Sequence, residues 1–141
     1  DMQKMYKLAN NGKTIEVVLT GLRREYLINE LEKIGVKYHY YNMISLQEIN
    51  ELYNCLDLYI VSSRYEGGPR SIVEAGLTKT PIISTRVGIA EEFLPKESLY
   101  DVNNWITYKN AKPNTKKLYN NIKRLTTEQH MIDFKNKLVA K

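Results

Sequence analysis

The pattern of apolar and polar residues alternates along this chain between two kinds of segment. Continuous apolar or β-branched runs predict strands, and they occupy residues 14–20, 36–41, 58–61, 81–85 and 99–102. Between these runs apolar residues recur at helical spacing, which predicts helices over residues 2–9, 23–34, 45–56 and 70–77. Strands that alternate with helices pair in parallel through right-handed crossovers. The pattern therefore predicts an α/β fold with a parallel sheet.

Local signals support several boundaries of these segments. Ser45 and Glu48 have the spacing of a capping box at the start of the third helix, and Gly35 is placed to end the second. Residues 103–114 are predicted to form a loop that leads to a C-terminal helical segment over residues 115–141, which we expect to pack on one edge of the sheet. A doubly wound fold normally begins with a strand, whereas this chain begins with a helix. We therefore expect that its first strand is missing.

The length of 141 residues fits a single domain, whose core we place at residues 1–102. With 43% hydrophobic and 26% charged residues, the composition excludes a disordered chain. The longest apolar runs fall well short of the roughly 20 residues that span a bilayer. We expect the protein in the cytoplasm, or peripherally at the inner face of a membrane.

Cysteine and histidine suggest neither a disulfide nor a metal centre. Cys55 is the single cysteine and cannot form an internal disulfide, which fits a reducing compartment, and its helix suggests a small core residue. His39 and His130 are far apart in sequence and offer no zinc-ligand spacing. His39 lies among tyrosines in a predicted strand, where we expect it to serve packing.

Positive charge is concentrated near the C-terminus. The net charge is +5, and residues 103–141 carry nine Lys or Arg against Glu128 and Asp133, whereas residues 1–102 carry twelve basic and fourteen acidic residues. A basic segment of this kind attracts nucleic acid or anionic lipid, but the solvated face of a helix explains it equally well. Both interpretations stay open at this point, and no specific nucleic acid is expected.

The most informative turn follows the apolar strand that ends at Val61. In open α/β sheets ligands bind beyond the carboxyl ends of the strands, and this turn contains two glycines before it enters a helix. With Pro69 at the first helical position, the amides of Arg70, Ser71 and Ile72 would lie unpaired at a positive helix end, which is an anion site. Glu74, one turn further, could accept hydrogen bonds from vicinal hydroxyls such as those of a ribose. Together these groups predict a nucleotide-sugar site.

The residues around this turn carry a family resemblance. Ser63-Arg64-Tyr65-Glu66-Gly67-Gly68-Pro69-Arg70-Ser71-Ile72-Val73-Glu74-Ala75-Gly76, continued by Thr80-Pro81-Ile82-Ile83-Ser84-Thr85-Arg86-Val87-Gly88, resembles the signature of the family 4 retaining glycosyltransferases. Two glutamates separated by seven residues are its hallmark, and the resemblance covers roughly residues 1–102. It implies a Rossmann-like three-layer α/β/α fold with a parallel sheet, the C-terminal, donor-binding half of a GT-B enzyme.

The resemblance also implies roles for individual residues. Glu66 would act as the catalytic residue and contact the hydroxyls of the donor sugar, main-chain amides of the turn would hold the sugar and diphosphate, and Glu74 would bind the ribose. Gly21 would lie near the diphosphate, and Met43 and Ile44 would lie near the base. The implied substrate-binding set is Gly21, Met43, Ile44, Glu66, Gly67, Gly68, Pro69, Arg70, Ser71 and Glu74.

By the same resemblance, the full enzyme would transfer a hexose from a nucleotide-diphosphate sugar to an acceptor hydroxyl with retention of configuration. The family uses no bound metal and no cofactor beyond the donor. The acceptor, a glycan, a lipid or another hydroxyl compound, would bind to an N-terminal domain that this chain lacks. We therefore expect the chain alone to bind donor without transferring it.

The sequence departs from the family pattern at three points. The family's Arg and Lys pair that grips the diphosphate has no counterpart before Asp1, the turn after the first strand has one glycine, Gly21, where two are usual, and Gly88 lacks the second glycine of a common pair. Two alternatives therefore stay open. One is a non-catalytic α/β binding module with a basic C-terminal surface, and the other is a different GT-B enzyme, such as a sugar-nucleotide epimerase or a phosphorylase.

Overall fold

The computed structural model describes residues 14–126 and divides the chain into two compact units, Asp1–Ile49 and Asn50–Lys141. The helix predicted over residues 2–9 and the helical stripe of Met131, Phe134 and Leu138 lie outside the described residues. The expectation of a single domain stays a prediction, and we describe each unit by itself.

The first unit is a β-α-β arrangement. Strand β1 (Glu16–Thr20) and strand β2 (Lys37–Tyr41) pair in parallel, and helix α1 (Glu25–Lys33) connects them. Among the described residues of this unit, the buried ones are Leu31 on α1, which is 1% exposed, and Val36. Helix α2 (Leu46–Cys55) begins in this unit and ends in the second.

Both predicted helix boundaries of the first unit are confirmed. Gly35 has φ +67°, its amide donates to the carbonyl of Glu32, and the amide of Val36 donates to the carbonyl of Leu31, which is the bond pattern of a Schellman cap. At the start of α2 the amide of Glu48 donates to Ser45 Oγ at 3.2 Å, and the amide of Ser45 donates to Glu48 Oε2 at 2.7 Å. These bonds to Ser45 lower the pKa of the Glu48 carboxyl. The capping box is therefore complete.

The second unit contains a parallel sheet of three strands in the order β3-β4-β5. Its strands are β3 (Tyr59–Val61), β4 (Ile82–Thr85) and β5 (Leu99–Tyr100), and its helices are α3 (Arg70–Leu77), α4 (Ala90–Phe93) and α5 (Thr115–Ile122). Three 3₁₀ turns complete the described part, at Lys96–Ser98, Trp105–Asn110 and Lys123–Leu125.

The core of the second unit lies between its sheet and the helices α3 and α5. Strand β4 is buried along its whole length, and Ile72 and Ile122 are both 0% exposed. Buried polar side chains have partners: Ser98 Oγ donates to the carbonyl of Lys112 at 2.8 Å, and Thr80 Oγ1 donates to the carbonyl of Tyr53 at 2.8 Å. Within the described residues no buried side-chain nitrogen or oxygen lacks a hydrogen-bond partner.

Helix α3 approaches α5 so closely that one of its positions must be glycine. A Cβ added at Gly76 would overlap Ile122 Cδ1 and would lie 2.9 Å from Leu118 Cγ. The side chains of Leu118 and Ile122 are both fully buried and have no free space to move into. The missing side chain at Gly76 therefore sets the distance between these helices.

Several features of the fold differ from the sequence predictions. The strands pair in parallel as expected, but they form two sheets, one in each unit, rather than one. The central residues of β1, residues 17–19, are partly exposed rather than covered on both faces, since the two-stranded sheet has α1 packed against β2. The expected loop 103–114 contains the 3₁₀ turn Trp105–Asn110. Cys55 is exposed at the end of α2 and is not a core residue.

In the described part of the chain, none of the helices combines the length and the apolar character that crossing a membrane requires.

Gly76→Ala should lower the free energy of unfolding by about 1–3 kcal/mol because the new methyl group overpacks the α3–α5 contact. In an open helix the same change would stabilise by roughly 0.5–1 kcal/mol, so the sign of the effect is informative. Urea unfolding measures it. In an Ile122→Ala background, which makes room for the methyl group, the substitution should cost much less; an equal cost in both backgrounds would contradict the close packing.

Candidate functional site

Two turns meet at one edge of the second sheet. Because β3 and β4 are parallel, with Val61 opposite Ser84, the turns that follow them leave from the same edge. The Thr85 side chain, 1% exposed, joins the turns through its Oγ1, which donates to the carbonyl of Ser63 at 2.7 Å. The turn 62–69 is therefore held beside the turn 86–89.

The two turns also touch through their backbones. Gly88 has φ +48°, a conformation that side chains disfavour, and a Cβ at this position would lie 2.9 Å from the carbonyl oxygens of both Glu66 and Gly67. The glycine at this position is therefore required by conformation and by space. A Cβ at Gly67, in contrast, would meet nothing within 4 Å.

The turns enclose an open pocket of about 610 Å³. Its lining residues are Arg64, Tyr65, Glu66, Gly67, Arg86, Val87 and Gly88. Glu66 is exposed, and its Oε1 accepts a hydrogen bond from Ser63 Oγ at 2.8 Å, so one carboxylate oxygen is anchored to the turn. Arg86 Nη1 lies 2.7 Å from Glu91 Oε1 in an exposed ion pair. The pocket thus combines one carboxylate with two guanidinium groups.

Of the residues predicted for the site, Glu66 and Gly67 line this pocket. Gly68 is the next residue in the chain, and a Cβ added there would lie 3.8 Å from Ile89 Cγ2. The sequence prediction missed Arg64, Tyr65, Arg86, Val87 and Gly88 as lining residues. Arg64 and Tyr65 lie inside the motif beside Glu66 and could have been included, whereas the second turn comes near only through the pairing of β3 with β4.

The start of α3 differs by one residue from the prediction. Pro69 is the N-cap, with φ −65° and ψ 103°, and the first helical residue is Arg70. The extended ψ turns the Pro69 carbonyl toward the helix, where it accepts from the amide of Ile72 at 3.0 Å. The expectation that the Ile72 amide is unpaired is therefore wrong. In the described part of the chain the amides of Arg70 and Ser71 have no protein acceptor, so two donors remain at the positive end of this helix.

Glu74 is half-buried on α3 and is not one of the residues that line the pocket. Its Oε2 accepts a hydrogen bond from the hydroxyl of Tyr53 at 3.1 Å. Tyr53 is buried, and this burial raises the pKa of its hydroxyl, as do the neighbouring Tyr59 and Glu74. The two glutamates of the motif therefore occupy different surroundings: Glu66 lies on an open turn and Glu74 beside a buried phenol.

The remaining predicted residues belong to the first unit. Gly21 has φ +83°, and its amide donates to the carbonyl of Tyr41 at 3.1 Å, so it lies at the carboxyl ends of both β1 and β2. Met43 is 86% exposed and Ile44 half-buried, in the turn that follows β2. Gly21 and this turn thus share one edge of the first sheet, and their binding roles stay predictions.

His39 has a partner that the sequence did not suggest. His39 Nε2 lies 2.9 Å from Glu16 Oε2, and Lys37 Nζ lies 2.7 Å from Glu16 Oε1 across the β1–β2 pair. Lys37 first, and then His39, lower the pKa of the Glu16 carboxyl. This is a partly exposed charge cluster of the first sheet. Within residues 14–126 no group of three or more His, Cys, Asp or Glu side chains is arranged to hold a metal ion.

Comparison with known families gives a match over residues 2–128 to the family described as Glycosyl transferases group 1. By sequence, no curated protein matches the chain significantly.

Three solved structures illustrate the structural likeness. The catalytic domain of cholesterol-alpha-glucosyltransferase from Helicobacter pylori has a TM-score of 0.61 at 20% identity, covering 99% of this chain and 88% of that one. The lipopolysaccharide outer core galactosyltransferase WaaB in its apo form has a TM-score of 0.66 at 16% identity, covering 99% and 44%. HepE from Anabaena in complex with UDP has a TM-score of 0.58 at 15% identity, covering 99% and 52%.

At these identities the likeness shows the fold. It is the three-layer α/β/α arrangement with parallel sheets found in GT-B glycosyltransferases, which confirms the fold class expected from the sequence. The chain spans about half the length of WaaB and of HepE.

Gly88→Ala should distort the pocket, because the methyl group would approach two carbonyl oxygens from a backbone conformation that alanine disfavours. We expect the free energy of unfolding to fall by about 1–2 kcal/mol, and the amide resonances of Gly67 and Gly68 to shift. Gly67→Ala, which adds a methyl group in open space, is the matched control and should leave the unfolding free energy nearly unchanged. Similar unfolding for both variants would argue against the contact between the two turns.

Proposed function

The chain belongs to the group 1 glycosyl transferases, and from this premise we propose that it binds the nucleotide-diphosphate sugar of a retaining hexosyltransferase. The observation that carries the proposal is the order of groups along one strand, turn and helix. The pocket with Glu66, the free amides that begin α3, and Glu74 follow one another from Val61 to the middle of that helix. A sugar, a diphosphate and a ribose follow one another in the same order in the donor.

The diphosphate would bind at the start of α3. The amides of Arg70 and Ser71 supply two donors at the positive helix end, which favours an anion. Arg64 and Arg86 add two cationic groups in the adjacent pocket. In a transfer reaction the diphosphate is the leaving group, and fixed donors of this kind stabilise the charge that develops on it. This arrangement supports electrostatic catalysis without a bound metal, as the family resemblance implies.

Glu66 would contact the donor sugar. Its carboxylate lies in the pocket with one oxygen already held by Ser63, which limits the positions that the other oxygen can take. A carboxylate fixed in this way accepts hydrogen bonds from sugar hydroxyls and orients the sugar while its bond to the diphosphate lengthens. At this position the proposed reaction needs a hydrogen-bond acceptor with a fixed orientation rather than a strong base.

Glu74 would bind the ribose. Glu74 lies one turn beyond the free amides, which suits the distance from diphosphate to ribose. As the resemblance implies, Gly21 would lie near a diphosphate, and Met43 and Ile44 near a base; within the first unit these residues share the carboxyl edge of the sheet, where ligands commonly bind. The structures of HepE with UDP and with UDP-glucose make uracil the first base to test.

The complete enzyme would bind its acceptor outside this chain. The related structures WaaB and HepE are about twice as long as the part that this chain matches, so an acceptor domain fits the remainder. The acceptor would be a glycan, a lipid or another hydroxyl compound. Since the family match is to transferases, a sugar-nucleotide epimerase, a phosphorylase and a non-catalytic binding module are the less supported alternatives.

A cationic helix face offers a second surface, suited to an anionic membrane at the cytoplasmic side. Leu118 and Ile122 bury one face of α5, and helical geometry places Lys116 and Lys117 toward the opposite side, where both are exposed. Lys123 and Arg124, also exposed, follow in the next turn. Within residues 103–126 there is no Asp or Glu. We propose that this cationic face lies against anionic lipid when the enzyme acts on a membrane acceptor.

A titration of the chain with UDP, GDP and ADP, and with their glucose or mannose conjugates, tests the donor site. Amide shifts should map to residues 66–74 and to Gly21 and the turn near Met43. Glu74→Ala should weaken binding about tenfold or more, since it removes a charged acceptor of ribose hydroxyls. Asp57→Ala, at an exposed position before β3 and so at the opposite end of that strand from the turn 62–69, is a control and should bind normally. Equal affinity for the Glu74→Ala and unmodified chains would contradict the ribose role.

Sedimentation with phosphatidylcholine vesicles, with and without phosphatidylglycerol, tests the cationic face. Lys116→Gln combined with Lys123→Gln should weaken binding to the anionic vesicles by about 2 kcal/mol, at about 1 kcal/mol per lysine near the surface. The pair Lys33→Gln and Lys37→Gln removes the same charge from the first unit and should have little effect. If both pairs reduce binding equally, net charge rather than this face is responsible.

A further inference from the structure

Tyr53 lies in the last turn of α2 with its ring fixed on several sides. It is 8% exposed, and its ring packs edge to face against Tyr59, with centroids 5.5 Å apart and an interplanar angle of 79°. Its carbonyl accepts a hydrogen bond from the buried Thr80 Oγ1 at 2.8 Å. The phenol therefore occupies one position before any ligand arrives.

The hydroxyl of this fixed ring donates to Glu74 Oε2 at 3.1 Å. The backbone of Glu74 is held as well, because its carbonyl accepts from both the amide and the Oγ1 of Thr78 at 3.0 Å. A tyrosine hydroxyl is protonated at neutral pH and can donate, and burial raises the pKa of Tyr53 further above its ordinary value. One oxygen of a half-buried carboxylate is thus occupied by the protein, while Oε1 accepts from no donor among the described residues and is available to a ligand.

We propose that Tyr53 is a positioning residue for donor binding: it holds Glu74 Oε2 so that Glu74 Oε1 is presented to a ribose hydroxyl. This role rests on the proposed function, in which Glu74 binds the ribose. A free glutamate side chain samples several rotamers, and ordering it on binding would weaken the complex. Anchoring the carboxylate to a rigid phenol orders it beforehand. The role therefore concerns recognition of ribose. Its loss should lower the affinity only of ligands that contact Glu74 through a hydroxyl.

The test compares ribose and deoxyribose ligands on the 141-residue chain. Binding of UDP and 2′-deoxy-UDP, and of GDP and 2′-deoxy-GDP, is measured by calorimetry for the unmodified chain and for Tyr53→Phe. One of the two pairs, uridine or guanosine, should bind, and within it the unmodified chain should have the higher affinity for the ribose ligand. Tyr53→Phe keeps the ring and removes the hydroxyl, so it should weaken binding of the ribose ligand about three- to tenfold. The deoxyribose ligand should be affected much less, and the preference should shrink accordingly.

Tyr100→Phe is the matched control. It also removes a buried tyrosine hydroxyl of the second unit, which donates to the carbonyl of Val61 at 2.8 Å rather than to Glu74. It should leave the ratio of ribose to deoxyribose affinities unchanged. Glu74→Asp serves as a second variant, because it withdraws the carboxylate from an intact Tyr53 and should reduce the same ratio.

The outcomes separate this proposal from the one it rests on. If the unmodified chain prefers ribose and Tyr53→Phe keeps the full preference, the positioning role is wrong while the ribose role of Glu74 stands. If Tyr53→Phe weakens ribose and deoxyribose ligands equally, its contribution is structural and the proposal is likewise overturned. If the unmodified chain binds neither pair, or shows no preference for ribose, the proposed function itself fails and this role fails with it.

Discussion

The hydrogen bond from Thr85 to the carbonyl of Ser63, at 2.7 Å, is the contact on which the candidate site depends. Parallel pairing of β3 and β4 brings two turns to one edge of the sheet, but parallel pairing alone does not fix loops that leave it. The buried hydroxyl of Thr85 supplies that constraint by joining the end of one strand to the turn after the other. Gly88 can then lie against the Glu66–Gly67 peptide, and the pocket has two walls rather than one.

Helix α3 carries the rest of the site, and it is fixed at points far from the pocket. At its C-terminal half Gly76 allows α5 to approach. Thr78 Oγ1 donates to the carbonyl of Glu74, and the amide of Thr80 donates to the carbonyl of Ala75. In the middle of α3 the side chain of Glu74 accepts a hydrogen bond from the Tyr53 hydroxyl. The free amides at the N-terminus are therefore presented by a helix that the core holds rigidly. A charged leaving group is stabilised best by hydrogen-bond donors that are already fixed in position. The packing of α3 in the core therefore fixes the donors at its N-terminus.

Features encoded over a few residues could be predicted from the sequence. The capping box of Ser45 and Glu48 and the helix end at Gly35 depend on local bonding, and both are present. The glutamate motif predicted the family because its residues follow one another in the chain. The pocket was predicted only in part, since Arg86 and Gly88 approach Glu66 through strand pairing that spacing does not reveal. Cys55 could not be placed either, because the pattern of α2 does not say which face is covered.

A crystal structure of the chain with UDP tests the proposed donor site most directly. Diphosphate oxygens should lie within hydrogen-bond distance of the amides of Arg70 and Ser71. A ribose hydroxyl should lie against Glu74 while Glu74 keeps its bond to Tyr53. A nucleotide bound elsewhere on the chain, with the start of α3 and the Glu74 carboxylate both free of it, would show that these groups are not the donor site.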